Sequence, residues 1–237
     1  MAKQGKHVLV TRAQLAGSSP CPLSEALVSQ GFRVTSVPMT EIAPVHAPSM
    51  PNLAGFNWLF FTSANAVRCF NPADTLPPVG VVGKATGDAV NEAFGVAPAF
   101  VSPGYNAQNA AEAFIKQHPP QGLRILWPCG NLANPVFEKV LSSAGAQVTP
   151  LVVYQTTDRE IAEREPLKED FDIVAFSSPS AIHNWQRLQL NIPTGCAIAC
   201  IGPSTAQAAQ QTFGRADIIA SPHTLEALAK AISLYLT

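Results

Sequence analysis

The chain has 237 residues, a formal net charge of -1 from 15 basic and 16 acidic side chains, 47% apolar residues and 13% charged ones. So large an apolar share excludes a disordered chain, and the near-neutral balance without a dense Lys/Arg run excludes the basic stripe that nucleic acid or an anionic membrane needs. The length exceeds the usual domain size of about 100–150 residues and predicts two modest domains.

The N-terminal MAKQGKHVLVTR runs straight into an apolar strand with no secretory h-region or cleavage site. No apolar run approaches the roughly 18–20 residues of a membrane span. After this strand comes a helical stretch, PLSEALVSQ, closed by Gly31, and a second strand around Val34. A Pro-rich stretch over 42–52 then precedes WLFF and its polar turn Thr62-Ser63-Ala64-Asn65. VGVV follows, with the turn Gly83-Lys84-Ala85-Thr86 and a helix closed by Gly95, then FVSPG and another helix. The strand RILWPCG, the helix PVFEKVLSS closed by Gly145, and the strand PLVVY, which ends on Tyr154, lead into a charged stretch over 157–170. The last third repeats the scheme: IVAF with Ser177-Ser178-Pro179-Ser180, AIACI with Gly202-Pro203-Ser204-Thr205, a helix closed by Gly214, and IIASPH with a final helix.

The chain matches itself at an offset near 114–119 residues. HVLVTRAQ and its helix align with RILWPCGN and its helix; WLFFTSANAV aligns with VAFSSPSAI; VGVVGKATGDAV aligns with AIACIGPSTAQAA. Each unit is a short apolar run, a polar turn and a segment of helical period, the β-turn-α signature of parallel sheets covered by helices on both faces. The expected fold class is α/β, with two flavodoxin-like doubly wound domains. Because a duplicated chain can exchange equivalent elements, the order of units leaves open which opening unit packs with which middle unit. The stretches 42–52 and 157–170 are the two crossing points expected between domains.

In open parallel sheets ligands bind beyond the carboxyl ends of the strands, where the loops enter helices. A helix start leaves several N–H groups unpaired and carries partial positive charge, so it can receive a carboxylate without a basic side chain. Ser and Thr are equally the ordinary N-cap residues, and Pro in the first turn is ordinary too. Four such entrances, two per half, favour a cleft for an anion without naming it.

His7, His46, His118, His183 and His223 show no ligand spacing, so no metal site is expected. Cys21, Cys69, Cys129, Cys196 and Cys200 are odd in number and dispersed, and read as reduced thiols, with Cys196 and Cys200 on one face of a strand. Neither a GxGxxG or P-loop stretch nor a GxSxG elbow occurs. Tyr154 reads either as a ring packed at a strand end or as a phenol, with an ordinary pKa near 10, able to donate a proton to a leaving oxygen. A cytoplasmic monomer is the expectation.

Taken together, LVTR at 9–12, FTSANAV at 61–67, VVGKAT at 81–86, GAQVTPLVVYQT at 145–156, FSSPSAI at 176–182 and IGPSTAQAA at 201–209 resemble the uroporphyrinogen-III synthase family in order and spacing. The resemblance spans nearly the whole chain. It implies a domain of 1–38 with 158–237, a second of 39–157, a two-stranded linker and an active site in the cleft between them. It further implies cofactor-free cyclisation of hydroxymethylbilane, a linear tetrapyrrole with eight carboxylates, with inversion of ring D. Loss of the ring A hydroxyl would give an azafulvene, which ring D attacks to form a spiro intermediate; fragmentation and reclosure complete the reaction.

Under this resemblance Tyr154 matches the tyrosine that assists hydroxyl departure, and Thr62, Ser63, Thr86, Ser178, Ser204 and Thr205 match polar cleft positions. Arg12, Ala64, Lys84 and Ser180 lie in the same motifs and complete the expected substrate contacts. The chain departs from the family in two places. No Pro follows Arg12, and Cys129-Gly130-Asn131 stands where an Arg-Gly pair is common, which takes away one carboxylate contact. A non-catalytic two-domain binder of small anions would use the same loops; a fragment of a methyltransferase fusion would need an extra domain that this sequence lacks.

Overall fold

A computed structural model describes residues 5–13, 21–45, 50–104, 106–161, 167 and 169–236. The chain divides into two compact units, residues 1–42 with 157–237, and residues 43–156. His46 and parts of both expected crossing stretches lie outside the described residues.

The first unit holds a five-stranded sheet of β1 (His7–Val10), β2 (Arg33–Ser36), β9 (Ile173–Phe176), β10 (Ala197–Cys200) and β11 (Ile218–Ile219). Its order is β2-β1-β9-β10-β11, and every pairing is parallel. Numbered along the unit, this is the 2-1-3-4-5 order of flavodoxin-like sheets. Side-chain alternation splits the core in two. Val8, Val10, Ile173, Ala175, Ala197 and Ala199 face α1 (Pro22–Ser29) and α8 (Leu225–Tyr235). Leu9, Val174, Phe176, Cys196, Ile198 and Cys200 face α6 (Pro179–Arg187) and α7 (Pro203–Phe213). Cys196 and Cys200 therefore do share one buried face.

The second unit comprises β4 (Trp58–Phe61), β5 (Val79–Val82), β6 (Phe100–Ser102), β7 (Arg124–Gly130) and β8 (Gln147–Asp158), with β3 (Thr40–Pro44) on the edge. The sheet order is β3-β8-β7-β4-β5-β6. Without β3 it is the same arrangement as the first sheet, each strand replaced by its repeat partner. Here α4 (Ala107–Gln117) and α5 (Val136–Ser143) cover a face built on Phe60, Phe100, Ile125 and Trp127. The opposite face, built on Leu59, Phe61, Val81 and Leu126, lies under α2 (Ala64–Arg68) and α3 (Lys84–Phe94).

The opening unit β1-α1-β2 thus pairs with β9, from the other end of the chain, whereas β7-α5-β8 pairs with β4. Asp172 fastens the first of these junctions. Its carboxylate accepts from Lys6 Nζ at 2.6 Å and from the His7 backbone N–H at 2.8 Å. The chain passes between the units on β3 and β8, which neighbour each other in the sheet. Gly95 and Gly214 end α3 and α7 in the left-handed conformation, at φ 67° and 76°, as their position after a helical run predicts.

Candidate active site

The four helix entrances lie beyond the carboxyl ends of β4, β5, β9 and β10, but they divide into two kinds. Ser63 is the N-cap of α2 and accepts the Ala66 N–H at 3.1 Å. Ser178 does the same for α6, accepting the Ala181 N–H at 3.3 Å, with Ser180 Oγ 3.0 Å from its own oxygen. The other two helices, α3 and α7, start at Gly83 and Gly202 with no side-chain cap. Ordinary capping accounts for the serines, then, whereas the glycine entrances have no side-chain oxygen to take up their first-turn N–H groups.

The remaining expected residues are placed as follows. Thr86 and Thr205 each occupy the third position of their helix and are buried, at 5% and 1% exposure. Lys84 and Ser204 are exposed, and Lys84 Nζ pairs with Asp88 one turn on at 2.6 Å. Ala64, the first residue of α2, packs against the core of its unit. Arg12 follows β1 and is partly buried. Thr62 Oγ1 accepts from Trp127 Nε1 at 3.1 Å, which ties the β4 loop to β7.

Tyr154 is where the second unit concentrates chemistry. Its hydroxyl lies 3.4 Å from Ser63 Oγ, within hydrogen-bond reach, so the phenol meets the oxygen that caps α2. The strand was expected to close at Tyr154, yet it continues to Asp158. Asn131, just past β7, holds this extension: its side chain accepts the Thr156 N–H at 2.8 Å and donates to the Thr156 carbonyl at 3.3 Å. Burial pushes the Tyr154 phenol above its ordinary value, and the Ser63 contact, which acts the other way, does not offset it. A phenol holds its proton at neutral pH even at its ordinary value, and the shift keeps it so.

Three residues of this cluster escape a sequence reading: Trp127, Gly130 and Asn131. The available signal was the departure at 129–131, where Cys129-Gly130-Asn131 stands opposite Arg12-Ala13-Gln14 in the repeat. Among the described residues no group of three or more His, Cys, Asp or Glu could hold a metal ion, and no helix is long and apolar enough to cross a membrane.

The family model described as uroporphyrinogen-III synthase HemD matches residues 22–230. A uroporphyrinogen-III synthase of Synechococcus elongatus is 29% identical, covering 98% of this chain and 97% of that protein. One of Chlorobaculum parvum is 27% identical over 96% and 98%. Among solved structures, uroporphyrinogen-III synthetase of Helicobacter pylori superposes with a TM-score of 0.69 at 18% identity, covering 98% of this chain and all of that one. A uroporphyrinogen III synthase mutant of Thermus thermophilus gives 0.59 at 16%, with the same coverage. These two structures share the fold, and the match to the family model over most of the sequence places the chain in the uroporphyrinogen-III synthase family, whose members are lyases.

Proposed function

We propose that the chain cyclises hydroxymethylbilane to uroporphyrinogen III, inverting ring D and releasing water. The observation that carries this reading is the Tyr154 hydroxyl, a half-buried phenol lying beside Ser63 at the entrance of α2. Such a phenol can protonate the departing ring A hydroxyl, which leaves as water and opens the azafulvene to attack by ring D. The proton released as the closed ring regains aromaticity restores the phenol. Holding the two chain ends together makes the closure effectively unimolecular.

The substrate's carboxylates suit the rest of the fold. The entrances of α3 and α7, which lack side-chain caps, offer backbone N–H groups and the positive end of the helix dipole, each dipole worth about 0.3–1 kcal/mol. An octa-anion can thus be received by a chain of net charge -1. Free cysteines and a near-neutral charge fit work in the cytoplasm.

The deciding experiment incubates the purified chain with fresh hydroxymethylbilane and separates the uroporphyrinogen isomers. The expected product is isomer III. Isomer I alone, the result of spontaneous closure, would overturn the reading in favour of a non-catalytic anion binder.

A further inference from the structure

The Tyr154 ring lies where a side chain on Gly130 would be. A β-carbon built on Gly130 would sit 2.5 Å from Tyr154 Cζ, 2.6 Å from Cε2 and 2.8 Å from the hydroxyl oxygen. Even alanine would overlap the ring at these distances. Gly130 is not among the glycines with positive φ, so its backbone suits any residue, and the demand for glycine here is one of space.

A register shift brings the two residues face to face. Along β7 and β8, Cys129 pairs with Val152, but the next residue, Gly130, pairs with Tyr154, which leaves Val153 as one extra residue on β8. In a regular strand successive side chains alternate between faces, so Val153 and Tyr154 would point to opposite sides. With the irregularity, Leu151, Val153 and Tyr154 all pack against the same core, the one under α2 and α3. The extra residue brings Tyr154 to the face under α2 and α3, and the bare Cα of Gly130 leaves the space in which the ring lies with its hydroxyl 3.4 Å from Ser63 Oγ.

We propose that Gly130 is a positioning residue for Tyr154, setting where the phenol hydroxyl stands beside Ser63 during hydroxyl departure. This rests on the reading of Tyr154 as the acid. The test is a double-mutant cycle on the full chain with hydroxymethylbilane as substrate. Tyr154→Phe comes first, keeping the ring and removing the hydroxyl. If it leaves kcat unchanged, the acid reading itself fails, and the proposal falls with it before Gly130 is touched.

If Tyr154→Phe slows turnover, Gly130→Ala in the parent is expected to lower kcat by about 10²-fold, as a misplaced catalytic group does, with KM nearly unchanged. In the Tyr154→Phe background the same substitution is expected to change kcat by no more than about twofold, the margin of additivity. An equal loss in both backgrounds, or no loss in the parent, would show that Gly130 does not act through the hydroxyl and would overturn the proposal. Should Gly130→Ala alone fail to fold, Tyr154→Ala empties the ring's place. The pair Gly130→Ala/Tyr154→Ala is then expected to fold and melt with Tyr154→Ala alone; a pair that melts well below it, or does not fold, overturns the proposal.

Discussion

Ser63 Oγ accepts the Ala66 N–H at 3.1 Å and stands 3.4 Å from the hydroxyl of Tyr154, so one oxygen serves both the start of α2 and the phenol on β8, the partner strand of β7. Stability and chemistry are coupled at this atom. Ser63→Ala is expected to lose the cap, at about 1 kcal/mol, and to slow turnover as well. Ser63→Thr keeps an oxygen at the same position and is expected to restore most of both. Denaturant unfolding and steady-state turnover of the two variants check this together.

Tyr154→Phe is expected to lower kcat by about 10²-fold without abolishing turnover, the small end of general acid effects. Because burial raises the phenol above its ordinary value near 10, its acid form persists at least as far into the alkaline range as that of a free tyrosine. The parent's kcat is therefore expected to show no loss from this group between about pH 6 and pH 9. A pH–rate profile of parent and variant reads it directly; a parent kcat that falls with an apparent pKa near 8, absent from the variant, would contradict the shift.

The thiols are set by burial in the opposite sense from reactive cysteines. Desolvation pushes Cys129 and Cys196 up to about 11 and Cys200 up to about 12, and all three side chains are buried. They are expected to resist a disulfide reagent at pH 8 in the folded protein and to react on unfolding, when all five cysteines become accessible. Counting released chromophore before and after adding guanidinium tests it.

Asp172 links the start of the chain to β9. Burial pushes its carboxyl up, but the hydrogen bonds from Lys6 and His7 and the charge they carry outweigh this and hold it below the ordinary value. A carboxyl lowered in the folded state stabilises the protein above its unfolded pKa of about 3.9, and that stabilisation is lost as pH falls through the folded value. Asp172→Asn is expected to melt below the parent at pH 7, with the gap closing below about pH 4. Melting curves across this range decide; a gap independent of pH would mean that the carboxylate's charge contributes nothing.

Much of the architecture was legible in local patterning. The strands that place Leu9, Val174 and Ile198 on one face and Val8, Ile173 and Ala197 on the other are written in short apolar runs. Gly95 and Gly214 stop their helices because only glycine takes the left-handed cap without cost. The repeat then located the four helix entrances. Such signals work because strand and helix periods depend on neighbours a few residues apart.

The tertiary structure decided what depends on residues far apart in the chain. The pairing of β1 with β9 joins residues about 165 apart, and no local pattern distinguishes it from a pairing with β4. Of the entrances, two are occupied by their own serine caps and two are not, and the threonines at 86 and 205 are buried rather than displayed. Tyr154 was visible as one of three tyrosines, at what read as a strand end, but its approach to Ser63 depends on one extra residue in β8 and a missing side chain at Gly130. Composition determined that these strands would be buried; only their packing determined which hydroxyl would stand beside which oxygen, because that distance is set by register and by the space between side chains brought together from different strands.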